Sequence, residues 1–149
     1  MRKTSAIALL LATVFLSSLT GCKKETTQPV SELIRKVWTV SKVEENNVTV
    51  YNRTGGTTNV RDYSKFRLDL SNPPTVTYTE YENSVFNGKY SLPTDQRLLF
   101  TDLTPQPTGS NGTVEFTINS IDESNLKITR TTTSPKTGNT TNVYTLTSP

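Results

Sequence analysis

The chain has no histidine in 149 residues, one cysteine and one tryptophan. Without histidine there is no Ser-His-Asp relay, no imidazole base and no imidazole metal ligand. A lone cysteine has no partner for a disulfide within the chain. Also missing are an acidic D-x-D-x-D-G loop for calcium and a glycine-rich strand-to-helix turn for phosphates. After the first residues no apolar run approaches the ~20 residues that a membrane-spanning helix needs. These absences leave carboxylate chemistry as the surviving enzymatic route. The acids that pair in sequence do not support it: Glu44-Glu45 and Asp122-Glu123 read as solvated turns, and Glu80 and Glu82 share one strand face on an exposed or edge segment. The expectation is a protein with no catalytic residues, no metal and no cofactor.

What is present begins at the N-terminus. A basic start, "MRK", precedes the apolar stretch Ala6 to Leu16, and small and polar residues then lead to Cys22. This is the layout of a secretory signal. The apolar part is 11 residues long, too short for a permanent transmembrane helix. Cys22 lies at the expected cleavage boundary, which neither a free thiol nor an intermolecular disulfide accounts for. The stretch Leu19-Thr20-Gly21-Cys22 resembles the lipobox of bacterial lipoproteins. That resemblance implies diacylglycerol on the Cys22 sulfur, cleavage after Gly21 and acylation of the new amino group. Each buried CH₂ contributes about 0.8 kcal/mol, so two or three acyl chains hold a protein stably at a membrane.

Loss of residues 1–21 removes Arg2 and Lys3, leaving 14 basic against 13 acidic residues. A chain this close to neutral has no electrostatic footprint for nucleic acid, and none is expected as a partner. Residues 22–29, "CKKETTQP", are polar and end in proline, as a flexible tether would. Lys23 is not the aspartate that favours inner-membrane retention in lipoproteins of the enteric type, so the resemblance points to the outer membrane, with the face open. Four Asn-x-Ser/Thr sequons, at Asn47, Asn52, Asn111 and Asn139, are read beside a lipobox as products of a Thr- and Asn-rich chain.

Residues 30–149 fit one domain. Threonine supplies 25 of the 128 residues from Cys22 onward, with Val, Tyr and Phe beside it, a composition suited to strands. A short helix is predicted over Val30 to Lys36, with Ser31 as its cap and Leu33, Ile34 and Val37 inward. Period-two alternation follows: Trp38 and Val40, then a turn at Glu45-Asn46; Phe66, Leu68 and Leu70; Val76 and Tyr78. It continues through Phe86, Gly88, Tyr90 and Leu92; Val114, Phe116 and Ile118; Leu126 and Ile128; Tyr144 and Leu146. Eight or nine short strands at this spacing describe an antiparallel barrel or sandwich.

Leu33, Trp38, Val40 and Val43, then Tyr63, Phe66 and Leu68, then Gly88, Tyr90 and Leu92, then Phe116, Ile118, Ile121, Leu126 and Ile128 resemble the small lipocalin-like lipoproteins of Bacteroidota. Lys36 stands where that family commonly has a glycine before the tryptophan. The resemblance implies an all-β, antiparallel up-and-down lipocalin-like barrel with a short N-terminal helix, and Trp38 as the plug of its closed end. It also implies binding of a small apolar ligand or envelope component, the alternative being an accessory subunit with a filled barrel. The longest rim candidates are residues 52–59 and 104–112.

Replacing Cys22 by serine should release the protein from membranes while leaving the domain folded. Fractionation after a salt wash decides it, and a serine variant that still sediments with membranes would refute the anchor.

Overall fold

The computed structural model describes residues 28–56 and 59–149. Cys22, the rest of the lipobox, the signal segment, most of the tether, and Thr57 and Thr58 lie outside the described residues. A one-turn helix α1 (Val30–Leu33) precedes β1 (Val37–Glu45), β2 (Val48–Asn52), β3 (Arg67–Asp69), β4 (Thr75–Thr79) and β5 (Val85–Thr94). Then come β6 (Arg97–Thr104), β7 (Val114–Ile121), β8 (Asn125–Arg130), a 3₁₀ turn (Pro135–Thr137) and β9 (Asn142–Thr147).

The helix is shorter than the pattern predicted, and Ser31 does not cap it. Pro29 takes that place with no side-chain bond, and its fixed φ and missing N–H suit the first turn. Leu33 and Ile34 are buried as expected, whereas Val37 is half-buried because it has already joined β1 and Trp38 takes the inner position.

All strand pairs are antiparallel, in the order β2-β1-β3-β4-β5-β6-β7-β8-β9, and β1 also pairs with β9. One edge of β1 carries β9. The other carries β3 along Val37–Thr39 and β2 along Lys42–Glu45. Eight strands therefore close into an up-and-down barrel and β2 is a ninth, attached beside β3. Closure removes most of the exposed sheet edge that an open sheet would leave.

Register shifts curve the wall, three of them beside inward-facing residues. In β1 the pairing steps from Val40↔Leu146 to Lys42↔Thr145, which leaves Ser41 as an extra residue. The inward phase then moves from Trp38 and Val40 to Val43 and Glu45. In β6 the extra residue falls opposite Gly88, between Thr101 and Thr104, where Asp102 has φ +56°. In β7 it falls between Ile118 and Ser120. Each bulge bends its strand and re-aims the side chains beyond it. The turn after β1 is Asn46-Asn47, with φ +48° and +66°. Two left-handed residues are what a tight hairpin needs, so Glu45 belongs to the strand and not to the turn.

The interior is continuous. Trp38, Tyr63, Phe66, Tyr78, Phe100 and Phe116 are all fully buried. Phe66 stacks on Tyr144 at 4.4 Å between ring centres, and Phe116 meets Phe100, Tyr78 and Tyr144 at 5.4, 6.4 and 6.1 Å. These rings come from β4, β6, β7, β9 and the segment before β3, so they touch across the barrel and fill its middle. Each such pair adds about 0.5–1.5 kcal/mol beyond area burial. Trp38 closes one end, where its Nε1–H donates to Ile34 O at 3.0 Å. Lys36 Nζ lies 5.9 Å from the Trp38 ring centre and donates to Glu123 O, so Lys36 straps this end from outside.

Gly88 is inward because the β6 bulge leaves no room for a side chain: a Cβ there would lie 2.5 Å from Thr101 O. Gly88→Ala should therefore lower stability by about 1–3 kcal/mol, the usual cost of overpacking, measured as a shift in the denaturant midpoint. An unchanged midpoint would mean that the bulge is compliant.

Candidate functional site

At the Trp38 end no charged residue is buried among the described residues. At the other end, where β1, β4 and β8 finish and β9 starts, the period-two rows continue into polar side chains. Glu45 follows Val43, Glu80 follows Val76 and Tyr78, Arg130 follows Leu126 and Ile128, and Asn142 precedes Tyr144. Glu45, Glu80 and Arg130 retain only 8, 5 and 4% of their exposure. A buried charge costs several kcal/mol unless it is paired and hydrogen-bonded, so the partners of each define the site.

Glu45 Oε1 accepts from Tyr63 Oη at 2.7 Å and from Arg61 Nε at 2.9 Å. Arg61 also lies 5.5 Å from the Tyr81 ring centre, and Tyr81 is 5.0 Å from the Tyr63 ring. Together these side chains fill the gap between β2 and the end of β4. Glu80 Oε1 accepts from Tyr78 Oη at 3.1 Å, and its Oε2 lies 2.8 Å from Lys136 Nζ. The direction of that second contact is poor for a hydrogen bond, and Oε2 has no other partner among the described residues. Lys136 also donates to Glu82 at 2.9 Å.

Lys136 stands on the segment 131–141, which joins β8 to β9 and crosses the polar end as a strap. Its backbone pairs internally between Ser134 and Thr140. Tyr81 Oη donates to Lys136 O at 3.2 Å on the β4 side. On the β1 side, Asn46 N–H donates to Thr141 O and Thr141 N–H donates to Asn46 Oδ1, both at 2.9 Å. A Cβ on Gly109 would sit 3.0 Å from the Pro135 ring, so the loop between β6 and β7 packs on the strap as well. The strap thus touches the β1–β2, β4–β5 and β6–β7 connections at its end of the barrel.

The structure corrects two readings of the acids. Glu45 is buried in the network above because the Ser41 bulge turned it inward. Glu80 is buried and paired, and only Glu82 of that pair is exposed; Lys136 brings the two together. Asp122 and Glu123 do lie in an exposed turn, where Asp122 Oδ1 accepts from the Ser124 and Asn125 backbone. Of the two rim candidates, residues 104–112 reach the polar end. In the other, residues 52–59, Arg53 lies along the outer wall, donating to Val40 O at 2.8 Å, to Thr147 Oγ1 at 3.1 Å and to Thr39 Oγ1 at 2.9 Å.

The charged groups shift one another in consistent directions. The Lys136 ammonium holds the Glu82 carboxyl below its ordinary value. Burial alone would depress Lys136, but the paired carboxylates of Glu80 and Glu82 outweigh it and leave the ammonium raised. Burial pushes the Tyr63 and Tyr78 phenols far up, helped by the carboxylates they donate to. Burial pushes Tyr144 up to about 12, against the hydrogen bond it accepts from Asn142. No group of three or more acidic or thiol side chains among the described residues is arranged to hold a metal.

A closed antiparallel barrel with a short helix over one end and a polar opposite end is a lipocalin-like architecture. It is similar to the crystal structure of a lipocalin-like protein from Bacteroides uniformis, with a TM-score of 0.52 at 9% identity, covering 78% of this chain and 99% of that one. At that identity the likeness establishes the fold. No protein-family model matches the sequence, and no curated protein matches it.

Tyr63, Tyr78 and Tyr144 lose phenolic protons near the ordinary value of 10.0 when unfolded and keep them when folded. Stability is then full below pH 10 and falls as pH rises beyond it. Phenolate absorbance followed with circular dichroism should show these tyrosines ionising together with unfolding. Ionisation of all six tyrosines below pH 11 in a folded barrel would contradict their burial.

Proposed function

We propose that this protein is a lipid-anchored, non-catalytic binding protein of the bacterial cell envelope. In this reading a signal over residues 1–21 is cleaved, Cys22 carries acyl chains, residues 22–29 form the tether, and the domain 30–149 works at the outer membrane. Its barrel takes a small ligand or an envelope component at the polar end, under the strap. The observation that supports this best is the buried ionic cluster of Glu45, Glu80 and Arg130. Packing alone would be served as well by apolar residues, and convergent polar groups beside an apolar wall are the usual make-up of a binding site.

Apolar-ligand binding deep in the barrel is less favoured, because Phe66, Phe116 and Tyr144 meet in its middle. The same rings favour a second reading, an accessory subunit with a filled barrel, whose outer wall and loops carry the contacts.

Native mass spectrometry of the protein purified from its own envelope separates the two readings. A small-molecule adduct that is lost when Lys136 and Glu82 are both replaced by alanine supports the receptor. A stoichiometric protein partner without an adduct supports the accessory subunit.

A further inference from the structure

Arg130 is the one buried charge at the polar end whose partner is not supplied by the described residues. Glu45 is matched by Arg61, and Glu80 by Lys136. Arg130 makes no ion pair within 4.0 Å among the described residues, and its Nε–H is fully buried with no acceptor. A second donor stands beside it. Arg130 lies opposite the start of β9, one step beyond the Thr129↔Val143 pair, and Tyr144 projects inward from that strand. The Tyr144 hydroxyl accepts from Asn142 Nδ2 at 3.2 Å, and its own hydrogen has no acceptor among the described residues. Two adjacent strands thus carry two buried donors, one of them cationic, near enough for the Arg130 charge to act on the Tyr144 phenol.

We propose that the polar end binds a small carboxylate beside these donors, with the Arg130 guanidinium as its counter-ion and the Tyr144 hydroxyl as a further donor. This rests on the receptor reading and gives its ligand a chemical class. A guanidinium presents parallel N–H groups that match the two oxygens of a carboxylate, and charge-assisted bonds of this kind are about twice as strong as neutral ones. Burial strengthens the attraction further. A doubly charged anion is disfavoured, because Glu45 and Glu80 lie close enough to act on the same phenol. A long acyl tail is disfavoured too, since Phe116 and Phe66 pack against Tyr144 on the inner side. The ligand's remainder must then point outward, toward the strap. A free short-chain acid and the uronic acid of an envelope polysaccharide both satisfy these limits.

The test uses the full chain in detergent at constant ionic strength, with sodium acetate, sodium glucuronate, sodium phosphate and neutral glucose as probes. The Arg130 Nε–H resonance and the melting temperature are followed together. A saturable shift of the resonance with a rise in Tm for both carboxylates identifies a free small acid, and a response to glucuronate alone identifies a sugar acid; either supports the proposal. Tyr144→Phe should weaken binding several-fold, and Arg130→Lys, which keeps the charge but not the fork, at least tenfold, both in folded proteins. No saturable response to either carboxylate, or an equal response to phosphate or glucose, overturns the proposal. If that happens while the purified native protein still carries a small-molecule adduct, only the carboxylate assignment fails. If the adduct is absent as well, the receptor reading fails with it.

Discussion

Glu45 and Glu80 approach the same end of the barrel from β1 and β4, and a carboxylate withdrawn from water costs several kcal/mol unless nearby donors replace its hydration. That penalty accounts for most of what surrounds them. Arg61 and Tyr63 come from an irregular segment whose backbone is tied to β2 at Val50, and both turn their side chains onto Glu45. Lys136 holds the strap against the end of β4. The apolar core beneath could be assembled from many combinations of Leu, Val and Phe. The polar end tolerates far fewer, because Arg61, Tyr63, Tyr78 and Lys136 each meet a particular carboxylate there and removal of one strands the other.

The two ends of the barrel solve the same geometric problem in opposite ways. At the first, a tryptophan and a single helical turn exclude water with apolar area. At the second, a loop is laid across the opening and fixed by ion pairs and paired backbone groups. Interactions of the second kind weaken with salt and with pH, whereas apolar burial responds to neither in the same way. The polar end is therefore the part of the molecule whose stability follows conditions outside.

The strands were legible because nearly every inward position over Phe66–Leu70, Val76–Tyr78, Val114–Ile118 and Leu126–Ile128 is apolar and every second residue faces away. Glu45 was missed because one extra residue, Ser41, reverses the phase of β1, and a one-residue slip exchanges the two faces of a strand. Glu80 and Arg130 were missed for another reason. They continue the inward rows of Tyr78 and Ile128 without a break, but a charge at the end of an alternating run reads as the chain leaving the sheet. The signal that could have found them is that continued period of two, set beside oppositely charged residues on separate strands. Lys136 had no local signal, since its partners lie 54 and 56 positions away in the chain. The role of the 131–141 strap is likewise a property of the closed barrel.

The helical turn that plugs the Trp38 end also fixes where the chain enters the domain. Eight residues from Cys22 to Pro29 reach at most about 28 Å when fully extended, and they join the barrel at that plugged end. An acyl anchor at Cys22 would thus hold the plugged end nearest the bilayer and turn the strapped end outward, a barrel's length from the head groups. Molecules would then exchange with the aqueous compartment rather than pass directly from the lipid. So anchored, the barrel would stand as an outpost facing the solution, with its plugged end toward the lipid.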